Sequence, residues 1–66
     1  MNVEQYRAFK NKVDEIQKEN SNRIKGKISD YYHFAEDEKT LIWDKTETLP
    51  IDIVLKVNQA AAKYLA

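Results

Sequence analysis

Apolar positions recur along this chain with two different periods, and the changes of period divide it into three stretches. In the first, Tyr6, Phe9, Val13 and Ile16 step by three and four, which places them on one face of a helix, with Ile24 a looser continuation. Asn2 offers an N-cap, with Gln5 three residues later as in a capping box. The opposite face is charged, and Asp14–Lys18 and Glu19–Arg23 stand in the favourable i,i+4 order. This pattern predicts a first helix over about residues 3–21. The stretch ENSNRIKGK then interrupts it. Asn20, Ser21 and Asn22 compete with the helical backbone through their side chains, and Gly26 is the only glycine. Because Asn20, Ile24 and Ile28 keep the i+4 step, one long helix reaching about Tyr32 stays open, and with it an all-α helical hairpin or bundle.

The middle stretch has aromatic and β-branched flanks, KISDYYHF and TLIWDKT, around a hydrophilic EDEK. This predicts a β-hairpin over about residues 28–46. With Glu36 to Lys39 as the turn, Phe34 faces Leu41 and Tyr32 faces Trp43 on one side. Tyr31, His33 and Ile42 take the other. A lone hairpin is barely stable in water, so this one must lie against helices.

The closing stretch, LPIDIVLKVNQAAAKYLA, returns to helical spacing over about residues 50–64, with Thr46 or Thr48 as cap and Pro50 in the first turn. Wound at about 100° per residue, it gathers Asp52, Lys56, Gln59 and Lys63 into one polar stripe and leaves an apolar arc of roughly 220°, about twice what a surface helix needs. Asn58 is the single polar intruder in that arc. The expected architecture is therefore α+β: one small domain over residues 1–66, ordered α-β-β-α, with two helices packed on a two-stranded antiparallel hairpin.

Size sharpens the meaning of the wide arc. A chain of 66 residues buries only about 60% of the surface its unfolded form exposes. It has no cysteine, so no disulfide or thiolate metal site braces it. Association with a second chain is a common remedy for such a small core. Eleven basic and eleven acidic residues give zero formal charge, which argues against binding that depends mainly on neutralising phosphates. No apolar leader is visible and the longest apolar run is too short to span a bilayer, so the expected location is cytoplasmic, without membrane contact.

Candidate chemistry is sparse. Ser29, Asp30 and His33 are close in sequence, but strand alternation would turn Asp30 away from the other two, and no glycine-rich turn surrounds Ser29. The acidic run Glu36, Asp37, Glu38 reads as a solvated turn and not as a cation loop. No cofactor or metal site is expected, and the chain is read as non-enzymatic. Two binding readings remain. In the first, the chain is a protein-interaction module, a regulator, adaptor or inhibitor, and a homodimer. Its surface would consist of Ile53, Val57, Asn58, Ala60, Ala61 and Tyr64, with Asn58 bonded either to its own copy across a twofold axis or to the hairpin. In the second, Arg23, Lys25 and Lys27 alternate beside Tyr31 as a small single-strand nucleic-acid platform.

Overall fold

The fold is given by a computed structural model that describes residues 2–65. Its elements are α1 (Val3–Glu19), β1 (Tyr32–Phe34), β2 (Leu41–Trp43) and α2 (Ile51–Tyr64), with single 3₁₀ turns at Ile28–Asp30 and Thr46–Thr48. The two strands form an antiparallel hairpin on which both helices pack, so the architecture is the α+β arrangement expected.

Helix α1 begins where its sequence says it should. The Asn2 side chain accepts a hydrogen bond from the Glu4 backbone N–H at 2.7 Å. The helix stops at Glu19, two residues short of the expected end, because Asn20 turns its side chain back on the last turn. The Asn20 amide donates to the Ile16 carbonyl at 2.9 Å, and the Asn20 backbone N–H is shared between the carbonyls of Ile16 and Gln17. Asn20 is buried there with its polar atoms satisfied. The face carrying Phe9, Val13 and Ile16 is buried.

Residues 20–31 form neither a continued helix nor a strand. They fold into a turn-rich segment pinned to α1 by one side chain. The Gln17 carbonyl oxygen accepts from the Ile28 backbone N–H at 2.6 Å, and its amide nitrogen donates to the Gly26 carbonyl at 3.1 Å. Between those two bonds Gly26 adopts φ +81°, a left-handed conformation that residues with a Cβ rarely take. The segment thereby carries Ile24, Ile28 and Tyr31 into the core. Tyr31 thus differs from the expectation that it would share the hairpin's solvent face. It precedes β1, is buried, and its hydroxyl donates to the Lys25 carbonyl at 2.7 Å.

The hairpin has the expected register, Tyr32 opposite Trp43, His33 opposite Ile42 and Phe34 opposite Leu41. Its turn is held by Asp37, whose carboxylate accepts from the backbone N–H groups of Lys39 and Thr40 and from the Thr40 hydroxyl at 3.0, 2.9 and 2.6 Å. On the inner face, Tyr32 and Phe34 meet Phe9 edge-on, at centroid distances of 6.3 and 6.0 Å. Strand β1 thus lies over α1, and the Trp43–Asn58 hydrogen bond ties β2 to α2. Offset aromatic contacts of this kind contribute about 0.5–1.5 kcal/mol each beyond their buried area.

Helix α2 starts one residue later than the sequence indicated. Pro50 occupies the cap position, and neither Thr46 nor Thr48 caps the helix, because both belong to the preceding 3₁₀ turn. The Thr48 hydroxyl lies 3.3 Å from that of Tyr31. Ile53 and Val57 are fully enclosed, and Val54, Ala60, Ala61 and Leu65 are buried around them. A bidentate pair between Arg23 and Asp52, at 2.9 and 3.1 Å, ties the exit of α1 to the first turn of α2.

Three outcomes follow from these contacts. Gln17→Ala removes the partner of the Ile28 N–H, and is expected to lower unfolding free energy by about 1–3 kcal/mol in chemical denaturation. Gln17→Glu, which keeps the acceptor, should cost less. The hydrogen bonds from Thr40 and Lys39 hold the Asp37 carboxyl down at about 2, and the Arg23 guanidinium holds Asp52 below its ordinary range. Both shifts favour the folded state while the carboxylates are charged. The contribution of Asp37 is complete above about pH 4 and is lost as pH falls toward about 2, so Asp37→Asn should flatten the acid limb of a stability–pH profile. Burial pushes the Tyr32 phenol up to about 12, with Tyr6 and Asp14 adding to the effect. Stability should therefore drop between about pH 10 and about pH 12, and drop less in Tyr32→Phe.

Candidate interaction surface

The wheel of α2 divides into three sectors according to what covers it. Ile53, Val57, Ala60, Ala61, Val54 and Leu65 point between α1 and the hairpin and are buried. Asp52, Lys56, Gln59 and Lys63 form the polar stripe, which runs along the α1 side. The remaining sector holds Ile51, Leu55, Asn58 and Ala62, all exposed. Ile51 is 70% exposed and Leu55 54%, the largest apolar exposures on this helix. They lie at one edge of the roughly 220° arc, where neither wall of the core reaches.

This result corrects the expected surface. Ile53, Val57, Ala60 and Ala61 are core residues, because α1 and the hairpin cover both flanks of the helix. Tyr64 is half-buried beside them. Asn58 is the one member of the set that is exposed. Its side-chain oxygen accepts from the Trp43 indole N–H at 2.9 Å, so it bonds the hairpin. The wheel showed that a surplus existed, but not which edge of the arc would carry it. The α1 wall covers the edge that holds Ala60, and the surplus falls at the opposite edge, on Ile51 and Leu55.

Strand β2 continues this surface. The Ala35 N–H bonds the Thr40 carbonyl and the Asp44 N–H bonds the Tyr31 carbonyl, each at 2.8 Å. Antiparallel ladders alternate, so His33 and Ile42 are the next bonded pair, and Leu41 and Trp43 direct their backbone groups to the outer edge of β2. No third strand covers that edge among the described residues. Between it and the C-terminal half of α2 runs an open groove of about 410 Å³, bordered by Lys39, Thr40, Leu41, Asn58, Ala62 and Leu65.

The basic residues of the second reading are dispersed. Arg23 is engaged by Asp52, which also raises the guanidinium pKa. Lys25 borders a cleft with Tyr31, Lys45 and the acidic Asp30 and Glu47. Lys27 borders a different cleft, with Tyr6, Lys10, Asp14 and Tyr32. Without a strand through residues 23–27, the alternation that would align all three with Tyr31 is missing. Ser29 and Asp30 sit in the 3₁₀ turn, while His33 projects from the outer face of the hairpin beside Ile42. Among the described residues no group of three or more His, Asp or Glu side chains is placed to hold a metal ion. No helix among them is long and apolar enough to cross a membrane.

Asn58→Ala removes the acceptor of the Trp43 indole. It is expected to cost about 0.5–1.5 kcal/mol and to change the fluorescence of the only tryptophan, with the rest of the fold unchanged by circular dichroism. Comparison of the chain with known protein families, with characterised proteins and with solved structures finds no match.

Proposed function

We propose that this chain is a non-enzymatic protein-interaction module that acts as a regulator, adaptor or inhibitor through the uncovered sector of α2 and the adjoining edge of β2. The observation that carries this reading is the exposure of Ile51 and Leu55 side by side on a helix whose other large apolar residues are buried or half-buried. Leaving a large aliphatic side chain in water forgoes about 1.5–3 kcal/mol relative to burying it. A domain this small has little stability to spare, so two such residues on one turn-to-turn stripe mark a surface that is covered when the protein works. Trp43, bonded to Asn58 of the same sector, adds an aromatic of the type enriched at binding hot spots. The absence of cysteine suits a reducing compartment, and the cytoplasm is the location that goes with this reading.

A photoreactive side chain in place of Leu55 tests it. In cells that make the protein, position 55 should give a covalent adduct with another polypeptide, whereas the same group at Lys10 on α1 should not. No adduct from position 55 above the level seen at position 10 would refute the reading.

A further inference from the structure

A cleft lies between α1 and the segment that follows it, and it shares no residue with the exposed sector of α2. Two contacts set its course. Gln17 bonds the backbone at Gly26 and Ile28, and Phe9 meets Tyr32. Residues 26–32 therefore run back along α1 toward its N-terminus, and a space of about 310 Å³ opens between the two. That volume is at the small end of the range for ligand pockets.

The two ends of the cleft differ in chemistry. Tyr6, Phe9 and Tyr32 gather at the N-terminal end of α1, and the buried Val13 and Ile28 continue the apolar floor. Lys27 and Ser29 border the other end, beside Gln17. Lys10 and Asp14 lie between, one turn apart on α1. Lys12 pairs with Glu15 and Arg23 with Asp52, whereas Lys10, Asp14 and Lys27 have no ion-pair partner among the described residues. The cleft thus carries two uncompensated ammonium groups against one carboxylate. The Tyr31 hydroxyl is bonded to the Lys25 carbonyl, but those of Tyr6 and Tyr32 make no hydrogen bond among the described residues. Burial, with Tyr6 and Asp14 nearby, holds the Tyr32 phenol up at about 12, so it stays a hydrogen-bond donor through neutral pH.

This arrangement suits one kind of occupant. Aromatic walls attract a flat ring at one end. Ammonium groups and a phenol donor attract an anion beside it. A cation held by the rings and Asp14 would instead face both ammonium groups. From the ring-lined end and the unpaired lysines together we infer that the cleft binds a small aromatic carboxylate, its ring toward Tyr6 and Tyr32 and its carboxylate toward Lys27. The site goes beyond the interaction reading and does not rest on it. Such a small, open cleft binds weakly, with a dissociation constant on the order of 1 mM.

The test follows the backbone amide NMR shifts of the full chain during titration with indole-3-acetate, with its neutral counterpart indole-3-acetamide, and with acetate. Indole-3-acetate should give saturable shifts at Lys10, Asp14, Lys27 and Tyr32, and should bind at least about threefold more tightly than the amide. Acetate, which lacks the ring, should give no saturable shift over the same range. Lys27→Ala should weaken binding of indole-3-acetate about two- to fivefold, and Asp14→Asn should strengthen it by a similar factor, both with unchanged circular dichroism. The opposite signs separate recognition of charge from a loss of structure. No saturable shift from indole-3-acetate up to about 10 mM overturns the inference. So do equal affinities for acid and amide, saturation by acetate, or shifts confined to residues outside the cleft. Each of these results leaves the capture of a polypeptide at position 55 as it was.

Discussion

The side-chain amide of Gln17 is the contact on which the rest of this fold depends. Residues 20–31 contain no regular element longer than one turn, yet they run against the core, where unpaired backbone groups are costly. Gln17 supplies an acceptor to Ile28 and a donor to Gly26, as a neighbouring strand would do. Those two bonds fix the direction in which the chain leaves α1. That direction delivers Ile24, Ile28 and Tyr31 to the core and sets β1 down over Phe9. With β1 placed, β2 follows by register, and α2 acquires its second wall.

How much of this was legible in the sequence depended on how local its cause was. The Asn2 cap, the Phe9–Val13–Ile16 stripe and the pairing of Tyr32 with Trp43 are all set by spacings of a few residues, and the structure repeats them. The course of residues 20–31 was not legible, because a long-range bond from Gln17 and the left-handed Gly26 decide it. The same reason separates Arg23 from its expected partner Glu19. Once α1 ends, Arg23 no longer lies one turn beyond Glu19 on a helix and pairs with Asp52, 29 residues away.

The candidate surface was half legible. The sequence revealed that α2 has more apolar surface than one wall can cover, but not where the walls stand. With α1 on the side of Ala60 and the hairpin on the side of Ala61, the centre of the arc is enclosed and the surplus is displaced to Ile51, Leu55 and Ala62. Ile53 and Val57 were natural candidates only while α2 was imagined with a single neighbour.

Asn58 links the fold to that surface. In the middle of an apolar arc it looked like a register device for a dimer or a polar group needing a partner in the hairpin. The hydrogen bond from Trp43 uses its oxygen and fixes the rotamer, and its amide nitrogen has no hydrogen-bond partner among the described residues. One residue therefore anchors the hairpin to α2 and presents two donors at the centre of the exposed stripe. An aliphatic residue at this position would lose the indole bond and enlarge the apolar stripe, favouring promiscuous burial over a defined partner. The polar interruption lowers the gross hydrophobicity of the surface while restricting the geometries in which a second chain can cover it without stranding those donors.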